Sequence, residues 1–450
     1  MGTHVRKPGS DETPASTAIL STAMADVRPL RALHYDPTRV DLGDVTAPPY
    51  DVIDAAGRER LVERSPHNVV ELDLPRTAEG ADPYEHASEL LDAWKDEGVL
   101  DQDETRTIWA LEQDYTDPEG EGRTRRGFLA RVRVTEYGPG LVRPHERTHP
   151  GPKEDRLRLT RATKHNLSPI FVLHSGDAWQ HVAPAATGAP FCEVTDADGT
   201  IHRAWPIDDA DVHEALSQML EGSELLIADG HHRYETARTY AEEIGGEGDH
   251  RFVLACLVSL EDPGLSVFAT NRLLHGLSRA QQESLRDTML DLFDVEEVEE
   301  GALVPDRDYG TIAFGYMDSF HRQPYRLRLK GPGPLAEAMP GSSAAFRALD
   351  AAALEALILK GPLAMSADDI AAKRGISYCS DFDETVRRVR DGEADAAFFL
   401  RPTPVEHVRE VADAGETMPP KSTYFFPKLL TGLAFNPLSA AEAGISATEA

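Results

Sequence analysis

The residues best suited to chemistry are concentrated in a nine-residue segment at 229–237. An apolar stretch precedes it and a helical pattern follows to about residue 243, so we predict a strand, a tight turn and a helix. Backbone N–H groups and the positive end of the helix dipole meet at such a turn, which favours a bound phosphate. The residues that we predict to act there are Asp229, Gly230, His231, His232 and Arg233.

Each residue type in this turn suits a different part of phosphate chemistry. Arg233 would hold phosphate oxygens with its two-pronged guanidinium, and the imidazoles of His231 and His232 would act as catalytic groups that pass protons. The alternative interpretation is a structural one, in which Asp229 caps the helix and the histidines are solvated.

A second cluster, at 143–156, is basic although the whole chain is acidic. His145 and Glu146 are, by type, a pair that can transfer protons, and Glu146 is a predicted catalytic residue. The side chains predicted to bind phosphate oxygens here are His145, Arg147, Lys153 and Arg156. The alternative is a solvated charged loop.

Residues 145–149 also spell His-Glu-x-x-His, the signature of zinc proteases. That chemistry needs a helix that places both histidines on one face. Pro144 and Pro150 bracket the five residues, which disfavours a helix through them. Metal-dependent hydrolysis with His145 and His149 as ligands is therefore only our third interpretation, and the metal ligands are left unassigned.

A third cluster lies in a Pro-bounded loop at 418–428. Lysines, hydroxyls and a tyrosine within a few residues predict contacts with an anion, although the spacing is not that of a P-loop. The predicted contacts are Lys421, Ser422, Thr423, Tyr424 and Lys428. The alternative is that the aromatic residues pack the C-terminal segment onto the body of the protein.

The elements that must position these clusters alternate between helix and strand. Apolar spacing predicts a helix at 83–98, a hairpin of strands at 107–113 and 127–134, and a buried strand at 252–258. We predict a helix from Pro404, with Thr403 as its N-cap. The predicted fold class is α+β, with a larger N-terminal domain at 27–295 and a smaller α/β C-terminal domain at 305–440, joined by an acidic linking stretch. Residues 1–26 are predicted to be a disordered extension.

The composition narrows the class of protein. The formal charge is 46 − 77 = −31, which opposes binding to nucleic acid. The cysteines Cys192, Cys256 and Cys379 lie far apart, which predicts buried or inert thiols in a reducing compartment. No apolar run reaches the length of a membrane span and no signal-peptide pattern opens the chain, so we predict a soluble cytoplasmic protein without a membrane partner.

These clusters together resemble the bacterial and archaeal DUF1015 family. The segments that carry the resemblance are Ala-Pro-Pro-Tyr-Asp-Val-Ile at 47–53, His-Glu-Arg-Thr at 145–148, Ile-Ala-Asp-Gly-His-His-Arg-Tyr-Glu-Thr-Ala at 227–237 and Lys-Ser-Thr-Tyr-Phe-Phe-Pro-Lys at 421–428. The Asp-Gly-His-His-Arg turn is similar to the phosphate-binding turn of the ParB/sulfiredoxin superfold, which includes free L-serine kinases. The resemblance implies a ParB/sulfiredoxin-like N-terminal domain whose turn holds a phosphoryl donor. Asn271 stands where the resemblance leads us to expect histidine.

The first functional hypothesis is a phosphotransferase that acts on a small hydroxylated metabolite, with free L-serine as the leading candidate. A nucleotide or pyrophosphate would be the donor, with Mg²⁺ neutralising its charge. Water as the acceptor would make the same site a phosphoserine hydrolase. The second hypothesis is a nucleotide-dependent binding or regulatory module without catalysis. The expected partner is a small phosphorylated molecule, and a homo-oligomer is compatible with the sequence.

Overall fold

The computed structural model describes residues 25–77, 80–118, 120–138, 141–146, 150–221 and 223–439. Most of the predicted N-terminal extension therefore lies outside the described residues. The strands, in chain order, are β1 (Val27–Arg28), β2 (Leu33–Tyr35), β3 (Leu100–Gln102), β4 (Ile108–Thr116), β5 (Gly122–Arg133), β6 (Val142–Pro144), β7 (His165–Asn166), β8 (Ile170–His174), β9 (Cys192–Thr195), β10 (Ile201–Ile207), β11 (Leu225–Asp229), β12 (Phe252–Ser259), β13 (Ser266–Phe268), β14 (Asn271–Leu274), β15 (Phe293–Glu297), β16 (Ala313–Asp318), β17 (Tyr325–Leu329), β18 (Ile376–Cys379), β19 (Ala396–Phe399), β20 (Tyr424–Phe426) and β21 (Asn436–Pro437).

The helices are of three types. The α-helices are α1 (Leu42–Val45), α2 (Ala55–Arg64), α3 (Val70–Asp73), α4 (Pro83–Asp96), α5 (Pro150–Thr163), α6 (Trp179–Val182), α7 (Ala210–Leu220), α8 (His231–Ile244), α9 (Arg279–Leu292), α10 (Gly333–Ala338), α11 (Ala344–Arg347), α12 (Asp350–Leu354), α13 (Ala367–Ala371), α14 (Phe382–Arg390) and α15 (Val405–Asp413). Short 3₁₀ turns lie at Tyr50–Val52, Asp249–Arg251 and Glu300–Ala302, and a π-helical turn at Glu355–Leu359 continues α12.

A mixed nine-stranded sheet forms the larger layer, in the order β6-β11-β8-β12-β5-β4-β10-β9, with β1 added on β5. Its central strand β12 is buried on both faces. Leu254, Cys256 and Val258 pack into one apolar cluster, while the alternate residues Val253 and Ala255 pack into another. Because side chains alternate along a strand, this continuous apolar run fills two cores at once.

A second, antiparallel sheet has six strands in the order β15-β17-β16-β19-β14-β18. Two of its strands, β14 and β15, begin before the acidic stretch that was predicted to link two domains. That interpretation is wrong for residues 295–297, which pair with β17 within β15. The division into domains at 295–305 and the ParB/sulfiredoxin-like character of the first domain stay predictions.

The fold is a mixed α/β arrangement, and several predicted elements are confirmed. The helix at 83–98 is α4, the hairpin is β4 with β5, and the strand at 252–258 is β12. The N-cap prediction at Thr403 is wrong, because α15 begins at Val405 with Pro404 as its N-cap and without a capping side chain. Thr403 instead donates its hydroxyl to the carbonyl of Ser422, 2.8 Å away, because a nearby loop offers that acceptor.

Two of the predicted thiols lie in the core. Cys192 and Cys256 are buried, and burial raises the pKa of each thiol to about 12. Such thiols are poor nucleophiles at neutral pH. No helix in the described part of the chain is long and apolar enough to span a bilayer.

The second sheet depends on a buried ion pair. The guanidinium of Arg401 donates to both carboxylate oxygens of Asp350 at 2.7 Å and to the carbonyl of Thr311 at 2.9 Å. These contacts join the end of β19 to α12 and to the loop before β16. Removing one partner of such a pair leaves an uncompensated buried charge.

We therefore expect Arg401→Met to lower the free energy of unfolding by about 3–5 kcal/mol. The matched control is Arg286→Met, because Arg286 is exposed and pairs with its exposed neighbour Asp287; its effect should stay within about 0.5 kcal/mol. Urea denaturation of the two variants measures the difference, and equal midpoints would contradict this account of the buried pair.

Candidate active site

Several distant segments of the chain meet in one cleft of about 300 Å³. It lies where β11 passes into α8. Its other walls come from the 3₁₀ turn at Tyr50–Val52, from Glu146 after β6, from the end of α13, from β18, and from β20 with the segments on either side of it. The residues that line it are Tyr50, Asp51, Glu146, Ala228, Asp229, Gly230, His231, His232, Arg233, Ile370, Ala371, Lys373, Tyr378, Pro420, Lys421, Thr423, Tyr424, Phe425 and Lys428. The three clusters found in the sequence therefore all contribute to the same cleft.

The turn between β11 and α8 has the predicted strand–turn–helix geometry. Gly230 is the N-cap of α8, with a φ of 90°, and no side chain caps the helix. Asp229 is therefore not the helix cap of the alternative interpretation; its Oδ1 accepts the N–H of Gly230 at 3.0 Å. The first-turn N–H groups of a fourteen-residue helix are thus left to face the cleft, where they can bind an anion.

Positive side chains surround the carboxylate of Asp229. Lys428 Nζ lies 3.3 Å from Oδ2, and Arg233 Nη2 lies 4.0 Å from the same oxygen. Burial would raise the pKa of Asp229, but the charges of Lys428, Arg233 and Lys421 outweigh burial and hold that pKa well below its usual range. Asp229 therefore stays ionised and keeps the two cations at the turn.

Arg233 is anchored at one nitrogen and unsatisfied at another. Its Nη1 donates to the carbonyl of Pro169, whereas its buried Nε has no hydrogen-bond partner in the described part of the chain. It also lies close enough to Tyr50 for its charge to act on the phenol, although burial dominates there and raises the pKa of Tyr50 to about 12. The guanidinium is thus held at the cleft with hydrogen-bonding capacity left over.

Two buried histidines brace the turn, His145 from behind it and His231 at the edge of the cleft. His145 Nδ1 donates to the carbonyl of Ile227 at 2.5 Å, and its Nε2 accepts the hydroxyl of Thr423 at 2.9 Å. The backbone N–H of His145 in turn donates to Nε2 of His231 at 3.2 Å. Burial lowers the pKa of His145 to about 4 and moves that of His231 well below its usual value, so both rings are neutral at physiological pH.

Glu146 is the next residue after His145 in an extended segment, so its side chain points to the opposite face, into the cleft. Its carboxylate accepts the backbone N–H of Lys421. Burial raises the pKa of Glu146 to about 7, and the positive charges of Lys421 and Lys428 only partly oppose that rise. A carboxyl group with this pKa can accept and release a proton near neutral pH.

The loop before β20 supplies the facing wall. Lys421 Nζ lies 3.9 Å from Asp51 Oδ2, and Lys428 Nζ lies 4.4 Å from the centre of the Tyr424 ring. Ser422 does not line the cleft; its hydroxyl donates to the carbonyl of Pro419 at 2.7 Å. Ser422 and Thr423 thus hold the loop, whereas Lys421 and Lys428 present charge to the cleft.

Other predicted site residues lie elsewhere. Lys153 pairs with Glu235 at 2.6 Å, and Arg156 pairs with Asp73 at 2.8 Å while covering the ring of Tyr50. Neither lines the cleft, although Arg156 supports a residue that does. Arg147 and His149 lie outside the described residues, so the zinc interpretation is not tested there; in the described part of the chain no three His, Cys, Asp or Glu side chains group as a metal site.

One wall of the cleft was not found in the sequence. Lys373 comes from the turn after α13 and Tyr378 from β18, and no local motif marks either. Arg272 is buried beside Tyr378, with its guanidinium 5.4 Å from the centre of the Tyr378 ring. Its neighbour Asn271 is buried away from the cleft and bonds to Thr385 at 3.2 Å.

The cleft reverses the charge balance of the chain. Its lining carries four cationic side chains, Arg233, Lys373, Lys421 and Lys428, against three carboxylates, Asp51, Glu146 and Asp229. A local site of 4 − 3 = +1 in a protein of charge −31 is suited to attract and hold a small anion.

The chain is similar to a protein family and to several solved structures. Residues 27–352 match the family described as "Protein of unknown function (DUF1015)". Similar solved structures include a conserved hypothetical protein from Pyrococcus furiosus (17% identity, TM-score 0.33, 63% of this chain and 86% of that chain) and a free serine kinase in complex with AMP (16% identity, TM-score 0.35, 66% and 88%). A third is SbnI with a C-terminal truncation from Staphylococcus aureus (12% identity, TM-score 0.33, 67% and 85%). The curated proteins give no match.

The turn geometry generates a test. A Cβ on Gly230 would lie 2.9 Å from Ile170 Cγ2 and 3.0 Å from both Nε and Nη2 of Arg233. Gly230→Ala should therefore lower the free energy of unfolding by about 2–4 kcal/mol, since it adds a clash to the strain of a left-handed backbone. It should also displace the guanidinium and weaken binding of inorganic pyrophosphate.

Gly188→Ala is the matched control, because Gly188 has a φ of 78° and nothing within 4 Å of an added Cβ. Its cost should be about 1–2 kcal/mol, from the backbone alone, with pyrophosphate binding unchanged. Thermal unfolding and calorimetric titration measure both effects. Equal losses in the two variants would show that the space around Gly230 does not matter.

Proposed function

Because the chain belongs to the DUF1015 family, whose function is unknown, we propose its function from the cleft: it transfers a phosphoryl group to the hydroxyl of a small metabolite. The donor is a nucleotide or pyrophosphate, and free L-serine is the first acceptor to test. The observation that carries the proposal is a carboxyl group with a pKa near 7 in the same small cleft as an uncapped helix N-terminus ringed by cations.

The donor phosphates bind at the start of α8. Backbone N–H groups of the first turn bind oxygens directly, and the free capacity of Arg233 adds charge-assisted hydrogen bonds. Lys428, now paired with Asp229, is within reach of the same position. Phosphoryl transfer needs chiefly positioning and stabilisation of charge, and these groups supply both.

Glu146 acts as the base. Its carboxylate takes the proton from the acceptor hydroxyl while the hydroxyl oxygen forms a bond to phosphorus and the bond from phosphorus to the leaving phosphate oxygen breaks. The leaving phosphate keeps its negative charge against Arg233 and Lys428. The proton stays on Glu146 until the product departs, which a pKa of about 7 allows at neutral pH.

Asp51 fits the requirements of Mg²⁺ brought in by the donor. Mg²⁺ usually binds one or two carboxylates together with phosphate oxygens and water, and it needs no cage of protein ligands. Asp51 is at the cleft, and Lys421 Nζ is 3.9 Å from its Oδ2, which is too long for a tight pair. When bound, the ion would neutralise phosphate charge; Asp51 would orient it, and the protein's own residues would carry the proton.

Glu146→Gln tests the role of the base. The variant should lose about 10²–10⁴-fold in kcat, with a smaller change in the Kd of the donor. In the unaltered protein, kcat should rise with pH and level off above about pH 7, because only the carboxylate form accepts the proton. If kcat of the variant still rises with pH in the same way, the rise is due to the titration of a group other than Glu146.

Stability provides the control for this variant. The folded protein raises the pKa of Glu146 from 4.5 to about 7, so ionised Glu146 costs stability at any pH above 4.5, most of all above 7. Glu146→Gln should therefore unfold at an equal or higher temperature than the unaltered protein at about pH 8. Glu242→Gln, at an exposed position on α8, should change neither kcat nor stability.

A further inference from the structure

The geometry points to Gln113 and Arg125 as positioning residues that fix Lys428 at the phosphate site. Both lie in the β4–β5 hairpin, behind the cleft, and neither lines it. The inference rests on the proposed function for the role of Lys428, and on hydrogen bonds within the protein for everything else.

Arg125 is a buried cation with unusual partners. The residue is 1% exposed. Nε and Nη2 donate to the amide oxygen of Gln113 at 3.0 and 2.5 Å, and Nη2 also donates to the carbonyl of Pro427 at 2.6 Å. None of these acceptors is a carboxylate, and Nη1 has no partner in the described part of the chain. Burying a cation in this way costs several kcal/mol, which an apolar side chain would avoid.

The orientation of Gln113 follows from that of Arg125. Since its oxygen accepts from the guanidinium, its amide nitrogen faces the other way. This nitrogen donates to the carbonyl of Lys428 at 3.1 Å and to Nδ1 of His202 at 3.0 Å. Nε2 of His202 then donates to Asp196 at 2.8 Å. Donors and acceptors alternate along this series of contacts. If the Gln113 amide were inverted, its NH₂ group would face the two donating nitrogens of Arg125.

The consequence falls on two consecutive carbonyls, those of Pro427 and Lys428. With both held, the backbone at Lys428 cannot rotate, and its side chain leaves the loop in a fixed direction. Its Nζ then lies between Asp229, 3.3 Å away, and the face of the Tyr424 ring. A lysine has four flexible side-chain bonds, so fixing its base makes the position of its charge reproducible.

The guanidinium of Arg125 also supports the cleft wall at Phe425, through the ring of Phe171. It lies 4.6 Å from the centre of the Phe171 ring, and that ring is 5.5 Å from the ring of Phe425, which lines the cleft. Buried polar networks that are nearly satisfied can specify one conformation at a cost in stability. Here the conformation specified is that of the phosphate-binding lysine.

Gln113→Glu separates positioning from stability. The new carboxylate still accepts from Arg125 and neutralises its charge, but it can no longer donate to the carbonyl of Lys428. The donation to Nδ1 of His202 is lost as well. Because neutralising the buried guanidinium offsets these lost hydrogen bonds, we expect the variant to stay folded, which thermal unfolding checks. Its Kd for inorganic pyrophosphate should rise about 10-fold, the loss of one charge-assisted hydrogen bond. Gln180→Glu makes the same change at an exposed position and should leave the Kd unchanged.

A double-mutant cycle tests whether Gln113 affects pyrophosphate binding through Lys428. If Gln113 acts through Lys428, then Gln113→Glu combined with Lys428→Ala should bind pyrophosphate no more weakly than Lys428→Ala alone. Additive losses, or an unchanged Kd in Gln113→Glu, would overturn the inference.

A measurement without ligand keeps the inference separate from the proposed function. Carbon NMR of the Asp229 carboxyl should show a pKa below that of an ordinary aspartate in the unaltered protein and a higher pKa in Gln113→Glu. If pyrophosphate binds to neither protein but the pKa of Asp229 is higher in the variant, then Gln113 does position Lys428 and the proposed donor site is wrong. If Asp229 titrates identically in both, the positioning is refuted whatever binds.

Discussion

The cleft depends on the ion pair between Asp229 and Lys428, which joins the turn before α8 to the segment after β20. Its partners are 199 residues apart in the chain, and the contact between His145 and Thr423 spans 278 residues. Neither the turn before α8 nor the loop before β20 is a binding site alone. The turn carries a carboxylate that would repel phosphate, and only the docked loop brings the lysines that reverse the local charge.

Burial and ion pairing allow an acidic protein to hold an anion-binding site. An overall charge of −31 repels anions, so the anion site needs an excess of cations held at short range. Asp229 serves as the counter-ion that keeps Arg233 and Lys428 at the turn before ligand binds. Glu146 is under the opposite influence, because burial outweighs the nearby lysines and keeps its pKa near neutrality. Two carboxylates in one cleft thus have different tasks, set by their surroundings.

Much of the site was predictable because its motifs are local. The strand, the left-handed glycine and the helix at 225–244 follow from residue types within twenty positions, and all three basic clusters contribute to the cleft. Sequence alone did not determine which member of a cluster faces inward. His145 and Glu146 are neighbours, yet the extended backbone sends one behind the turn and the other into the cleft. Lys373 and Tyr378 carry no local signal, since only the docking of the second sheet brings them there.

The most direct measurement is phosphorus NMR of the protein with Mg²⁺, L-serine and, in separate samples, ATP, ADP or pyrophosphate, with phosphoserine alone as a further sample. We expect a new phosphomonoester signal with one of the donors, and its disappearance in Arg233→Ala. Phosphate released from phosphoserine alone would make water the acceptor at the same site. Donor spectra that stay unchanged with L-serine and with a panel of other small hydroxylated metabolites would contradict phosphoryl transfer as the function of this cleft.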